Sequence, residues 1–147
     1  MADTLVNYGA TLWNLNQFSD AAATQKRAVS LFRNLGHEGT QNLCSALHGY
    51  GDSCYVLGKH AEAVIAYQEA IPFWRACVVT DPEQEKILST ALHDIANCFS
   101  VLGKCVEADA AAIEALERNH GRVFDWCVNA PGFKSCFVCQ RVMNQVH

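Results

Sequence analysis

Residues 46–70 read ALHGYGDSCYVLGKHAEAVIAYQEA, and this stretch decides the fold of the chain. On either side of Leu57-Gly58-Lys59, apolar and small residues recur at steps of three and four, the spacing of one helix face. Small residues stand at Gly51, Ala63 and Ala70, where bulky side chains would hold two packed helices apart. The stretch therefore predicts two closely packed helices joined by a tight turn.

The same pattern occurs at two further places, 42 residues before this stretch and 45 residues after it. The aligned positions hold Leu5, Tyr8, Gly9, Leu12, Leu15, Ala21 and Ala28 in the first copy, Leu47, Tyr50, Gly51, Cys54, Leu57, Ala63 and Ala70 in the second, and Leu92, Ile95, Ala96, Phe99, Leu102, Ala108 and Ala115 in the third. The turns hold Asn16, Gly58 and Gly103, and both residue types tolerate a left-handed backbone. One hairpin cannot bury its apolar faces alone, so three copies predict an all-α array of stacked hairpins.

This pattern resembles the tetratricopeptide repeat, in which a large apolar residue is followed by a large-small pair and the second helix carries small residues. The resemblance covers about residues 2–118 and implies a right-handed superhelical array of three repeats, at about 2–39, 40–80 and 81–118, followed by an irregular tail at 119–147. The basic family repeats every 34 residues or so. The longer spacing here is similar to repeats of the kinesin-light-chain type and to tandem repeats of fungal sensor proteins.

Local signals place several helix ends. Thr40 is a suitable N-cap for the third helix. Pro72 is expected to kink the fourth helix or to end its regular part, because proline cannot donate to the preceding turn. Asp81, Pro82 and Gln84 predict a helix start with a capping residue, a proline at the first helical position and a capping box.

Composition narrows the class of protein. The chain has 147 residues, which fits one domain, and a net charge of −4, which disfavours a nucleic-acid scaffold. No apolar run is long enough to cross a bilayer. The first four residues lack the basic segment of a secretory signal, so we expect a cytoplasmic protein that binds neither nucleic acid nor membranes.

The cysteines are predicted to be reduced. Five of the eight fall on predicted helices, where cysteine serves as a small buried apolar residue: Cys44, Cys54, Cys77, Cys98 and Cys105. In a reducing compartment disulfides do not persist.

The family resemblance implies that the first helix of each hairpin lines a concave groove. The groove positions selected as binding candidates are Trp13, Asn14, His48, Asp52, Tyr55, His93 and Asn97. Exposed aromatics beside hydrogen-bonding groups suit recognition of a peptide or helix. The alternative for Trp13 and Tyr55 is packing between neighbouring hairpins. The family's carboxylate clamp is absent, because its positions hold no cation: they are Val6, Ala10, Gly49, Thr90 and Asp94.

Metal binding and catalysis have weaker signals. His48 and His93 occupy equivalent positions, but two histidines without a further ligand in fixed register make a poor metal site. The tail holds four residues that could ligate zinc, with only one closely spaced pair among them: Cys127, Cys136, Cys139 and His147. We find no phosphate loop, nucleophile elbow or paired-histidine zinc motif.

The sequence thus predicts a non-catalytic protein-interaction scaffold without a cofactor, whose groove binds a peptide or a helix. Trp13 and Phe18 lie near an uncovered end of the array, which favours self-association or a place in a longer array, such as the sensor end of a signalling protein. The alternative is a small zinc-binding or redox protein that uses the tail cysteines.

Overall fold

The computed structural model describes residues 1–36 and 40–118, and every regular element in these ranges is helical. The elements are α1 (Ala2–Asn14), α2 (Phe18–Asn34), α3 (Gln41–Val56), α4 (His60–Val78), a 3-10 turn (Pro82–Gln84), α5 (Glu85–Val101) and α6 (Cys105–Arg118). The predicted all-α class and its helical hairpins are confirmed. The chain divides into two compact units, Met1–Ala76 and a second beginning at Cys77. The predicted tail lies outside the described residues, and the predicted repeat boundaries stay a prediction.

The three hairpin turns share one geometry. Asn16, Gly58 and Gly103 have φ values of 59°, 75° and 75°. The N–H of the next residue reaches back five residues in each turn, with lengths of 2.9 Å from Gln17 to Leu12, 2.8 Å from Lys59 to Cys54 and 2.8 Å from Lys104 to Phe99. This bond closes a Schellman motif, which satisfies the last carbonyls of the first helix and reverses the chain. The turns were therefore correctly predicted from these three residues.

The small residues of the pattern lie where the two helices of a hairpin meet. Five alanines of the second helices have no exposed surface: Ala21, Ala28, Ala63, Ala108 and Ala115. Gly9, Gly51 and Ala96 are buried on the facing first helices. Close approach of the helix backbones is what removes these short side chains from solvent, as the pattern predicted.

In the first unit α2 packs against both α1 and α3, and α1 also contacts α3. Buried apolar side chains from the three helices form this core, among them Leu12, Val29, Phe32, Leu43 and Leu47. In the second hairpin the Tyr50 hydroxyl on α3 donates to Glu62 on α4 at 2.6 Å, which links the two helices at the surface. Burial and that bond raise the pKa of Tyr50, and the same bond lowers the pKa of Glu62.

In the second unit α5 packs against α6 around Leu88, Leu92, Ile95, Phe99 and Leu116. Arg118, at the end of α6, donates to Glu85 at the start of α5 and to Glu114 on its own helix, both at 3.0 Å. Burial acts to lower the pKa of Arg118, but the bonds to the two carboxylates outweigh it and raise that pKa. Arg118 therefore ties the open end of this hairpin together.

We expect Arg118→Ala to lower the free energy of unfolding by about 1 kcal/mol, the value of a partly exposed ion-pair network. Urea denaturation of the full chain measures this change. Lys86→Ala on α5 removes one exposed cation from the same unit and serves as the control, with no measurable change expected. Equal effects of the two substitutions would show that Arg118 contributes only its charge.

The local signals at the helix ends are mostly confirmed. Thr40 caps α3 by accepting from the Leu43 N–H at 3.4 Å, as predicted. Pro72 lies inside α4, which continues to Val78, so the proline does not end the helix, and the alternative of a kink stays a prediction. Asp81 caps the 3-10 turn by accepting from the Glu83 N–H at 3.1 Å, and Pro82 is the first residue of that turn, as predicted. The capping box does not form, because the Asp81 N–H donates to Cys77, and Gln84 instead donates to the Asp81 carboxylate at 2.8 Å.

The cysteines are only partly buried. Cys44, Cys54 and Cys98 are buried as predicted, whereas Cys77 is half-buried and Cys105 is exposed. Cys105 is the first residue of α6, and the buried residues of that helix begin only at Ala108. None of the helices described is both long and apolar enough to cross a membrane.

Candidate functional site

A pocket of about 200 Å³ lies in the first unit between α1, α2 and α3. Its walls come from α1 (Val6, Gly9, Ala10, Trp13 and Asn14), from α2 (Gln25) and from α3 (Ser45, Gly49, Asp52 and Ser53). Along α1 and α3 these residues recur at three- and four-residue steps, so each helix presents one face to the pocket. Glycine and alanine at Gly9, Ala10 and Gly49 leave the space that the pocket occupies.

Trp13 forms the aromatic wall of the pocket. Its ring packs edge to face against Phe18 at a centroid distance of 4.9 Å, and it remains half-exposed. The neighbouring Asn14 is exposed. A tryptophan held on one side and open on the other is suited to contact with a second molecule.

Asp52 forms the charged wall and is held in place from α4. The Tyr67 hydroxyl donates to Asp52 Oδ1 at 2.6 Å, and His48 Nε2 lies 3.4 Å from the same oxygen. Tyr67 has no exposed surface, and its ring meets the His48 ring edge to face at 5.9 Å. The position of the Asp52 carboxylate is therefore fixed by a buried tyrosine.

Gln25 forms the floor of the pocket and was missed by the sequence analysis. It belongs to α2, a second helix, and only 4% of its surface is exposed. The sequence did hold a signal for a buried Gln25. When the three copies are aligned, Gln25 falls at the position of Tyr67 and Ala112, which are both buried.

The predicted site residues are distributed between the two units. Trp13, Asn14 and Asp52 come together in the pocket. His48 contacts Asp52 from outside the pocket lining, and Tyr55 packs edge to face on His60 at 5.6 Å.

His93 and Asn97 belong to the second unit. His93 is buried, with Nδ1 3.1 Å from Asp94 Oδ1 and 3.5 Å from Asn97 Nδ2. The assignment of all seven residues to one groove stays a prediction.

The polar groups of the pocket include hydrogen-bond acceptors, and the cations that a carboxylate clamp needs are not among its described lining residues. The described residues that line it include Asp52, Gln25 and Asn14 but neither lysine nor arginine. Val6, Ala10 and Gly49, three positions of the predicted missing clamp, lie in its wall. An anionic group placed here would lie near the Asp52 carboxylate and would find no lysine or arginine in the described lining to bind it.

Metal and thiol chemistry have little support in the described ranges. Residues 1–36 and 40–118 contain no cluster of three histidine, cysteine or acidic side chains able to hold a metal ion. Burial raises the pKa of the Cys54 thiol, although the bond with Tyr50 acts to lower it, so this thiol is kept protonated. The zinc candidates of the tail, Cys127, Cys136, Cys139 and His147, lie outside the described residues.

Comparisons with known proteins agree with the fold. The sequence profile of the tetratricopeptide repeat family matches residues 1–76. The crystal structure of the TPR domain of Arabidopsis FLU is similar, with a TM-score of 0.66 at 21% sequence identity, over 82% of this chain and 96% of that domain. At that identity the likeness concerns the fold alone. Among curated proteins none matches the chain.

Proposed function

Because this chain belongs to the tetratricopeptide repeat family, we propose that it is a non-catalytic interaction module that binds a peptide or a helix of a partner protein. Domains of this family usually bind proteins or peptides and generally lack catalytic activity. The observation that carries the proposal is the pocket of the first unit, in which a half-exposed Trp13 stands beside hydrogen-bonding groups.

The pocket's dimensions and chemistry fit the anchoring side chain of a polypeptide. A volume of about 200 Å³ accommodates one side chain and not a large cofactor. Trp13 offers apolar area, while Asn14 and Asp52 offer hydrogen-bonding groups in the same pocket. Tryptophan at a partly desolvated position commonly dominates binding energy. The remainder of the partner would then lie along the exposed faces of α1 and α3.

The finer parts of the proposal rest on the sequence. The 42- and 45-residue spacings support a kinesin-light-chain-like or fungal tandem-repeat type of array within a larger signalling protein. A cytoplasmic protein that binds neither nucleic acid nor membranes is likewise proposed from the sequence, from its net charge of −4 and its lack of a long apolar run. Self-association through the ends of the array is also proposed from the sequence alone.

Selection of a displayed random-peptide library on the immobilised chain tests the proposal. We expect enriched peptides whose affinity, measured by calorimetry, falls about tenfold or more with Trp13→Ala, the loss typical of an interface hot spot. Ala10→Leu fills the pocket from an exposed position and is expected to weaken binding while the melting temperature is kept. Ile65→Ala is the matched control, because Ile65 is an exposed apolar residue of α4 outside the pocket.

Two outcomes would overturn the proposal. One is that no peptide is enriched above an unrelated helical protein. The other is that enriched peptides bind the Trp13→Ala and Ala10→Leu variants as tightly as they bind the unchanged chain. Circular dichroism of each variant separates loss of binding from loss of fold.

A further inference from the structure

Gln25 lies in a narrow slot between two helices, where two residues without side chains leave room for it. Its side chain extends from α2 between α1 and α3, next to Gly9 on one side and Gly49 on the other. A Cβ at Gly9 would lie 2.5 Å from Gln25 Nε2, and a Cβ at Gly49 would lie 2.8 Å from the same atom. Both glycines also line the pocket, so the slot adjoins the pocket.

The Gln25 side chain is held in this slot by the backbone of α1. Its Nε2 donates to the Val6 carbonyl oxygen at 3.3 Å, and Val6 is itself a lining residue of the pocket. Only 4% of the surface of Gln25 is exposed, although Gln25 belongs to the lining. The pocket therefore ends where this side chain begins. A shorter residue at position 25 would extend the pocket into the slot, and a glutamine displaced from the slot would fill part of the pocket.

The polar groups of the pocket do not favour a charged occupant. The Asp52 carboxylate accepts from the Tyr67 hydroxyl at 2.6 Å, and His48 Nε2 lies 3.4 Å from the same oxygen. A cation would compete with these contacts, and an anion would be repelled by the carboxylate. Ser53 Oγ likewise donates to the Gly49 carbonyl oxygen at 3.0 Å. Because these groups already have partners within the chain, a polar occupant gains little by replacing them.

Apolar surface is what the α1 wall offers to an occupant. Trp13 and Val6 are half-buried and Ala10 is exposed, and all three line the pocket. The pocket has about 200 Å³, and an apolar protein cavity of about 150 Å³ holds one benzene ring. An apolar side chain therefore fits, and each methylene group that it buries adds to the affinity.

We propose that the pocket binds an uncharged apolar side chain of the partner, and that Gln25 sets how deeply this side chain enters. The inference rests on the proposed function and names both the chemistry of the anchoring residue and the residue that determines its length. Gln25 acts through its bulk and its place in the slot, and its hydrogen bond to Val6 keeps it there.

Four small probes test the chemistry of the occupant. 1-Butanol and 1-hexanol are uncharged chains that differ by two methylene groups, whereas butylammonium and pentanoate have a cation and an anion on the butyl chain. We expect 1-butanol to shift the NMR signal of the Trp13 indole N–H saturably in the full chain. It is expected to bind more tightly than either charged probe.

Three variants test the role of Gln25. Gln25→Ala opens the slot, and the ratio of 1-hexanol affinity to 1-butanol affinity is expected to rise about tenfold, the value of two more buried methylene groups. Gln25→Met has a similar length without the hydrogen bond and is the control, with the ratio kept. Gly9→Ala places a Cβ against Gln25 and moves its side chain toward the pocket, so both alcohols are expected to bind about tenfold more weakly.

A charged probe that binds as tightly as 1-butanol would overturn the inference, as would the absence of any saturable shift. An unchanged affinity ratio in Gln25→Ala that circular dichroism shows to be folded would also overturn it. If Gln25→Ala does not fold, Gly9→Ala decides, because undiminished binding of the alcohols there contradicts a depth set by Gln25.

The inference and the proposed function can fail separately. If peptides that depend on Trp13 are selected but the alcohols do not respond as expected, the proposed function stands and the apolar anchor is wrong. If the alcohols respond as expected but no peptide is selected, the chemistry of the pocket stands and the interaction module is wrong.

Discussion

Replacing Gly51 by alanine is expected to lower the free energy of unfolding by about 2 kcal/mol. A Cβ at this position would lie 2.8 Å from Tyr67 Cε1 and 3.0 Å from Cδ1 and Cζ. The ring has no exposed surface and is held by its bond to Asp52, so it cannot move aside without disturbing α4. The better helix propensity of alanine, about 1 kcal/mol, offsets only part of this clash. Urea denaturation of the variant measures the result.

Gly9→Ala is the matched control, because Gly9 has the same place in the first hairpin. The added Cβ would come even closer to a neighbour, but that neighbour is the end of the flexible Gln25 side chain, next to the pocket. Gln25 can turn into that space, so we expect stability to change by less than about 1 kcal/mol. A larger loss for Gly9→Ala than for Gly51→Ala would contradict the distinction between a rigid ring and a movable chain.

The second large effect is expected at Asp52. Asp52→Ala removes an acceptor of the buried Tyr67 hydroxyl, and we expect a destabilisation of about 2 kcal/mol. Asp52→Asn keeps an acceptor oxygen and is expected to lose less than about 1 kcal/mol. The asparagine variant thus separates the charge of the pocket from the stability of the fold.

A double-mutant cycle with Tyr67→Phe shows whether the effect passes through this contact. In the Tyr67→Phe background, Asp52→Ala is expected to be less destabilising by about 1 kcal/mol, because the hydrogen bond is already absent. Additive effects of the two substitutions would mean that Asp52 stabilises the unit through other groups. Thermal or urea unfolding monitored by circular dichroism suffices for all four proteins.

The hairpins could be predicted from sequence because their signals are local. Asn16, Gly58 and Gly103 fix the turns through backbone conformation alone, and Thr40 caps α3 through its own side chain. Pro72 shows the limit of local signals. Proline lacks one N–H and cannot bond the carbonyl four residues earlier, but the packing of Ile71 and Trp74 keeps α4 helical around it. Tertiary burial outweighs the local penalty there.

The pocket could be predicted only in part, because it depends on side chains from three helices. The spacing of α1 and α3 gave Trp13, Asn14 and Asp52, which recur on the faces of first helices. Gln25 was missed because second helices were assigned to the outer wall of the array. Gln25 can lie between α1 and α3 because Gly9 and Gly49 have no side chains there. That space is visible only once the three helices are packed together.

The three hairpins have similar turns, and one aligned place in them holds the buried residues Gln25, Tyr67 and Ala112 in turn. A different residue at this place changes the side chain that lies against the small residue of the first helix, which is Gly9 in the first hairpin and Gly51 in the second. The residue at this one place therefore sets which group each hairpin buries beneath its first helix. In the first hairpin it is an amide, and in the second it is the phenol that orients Asp52.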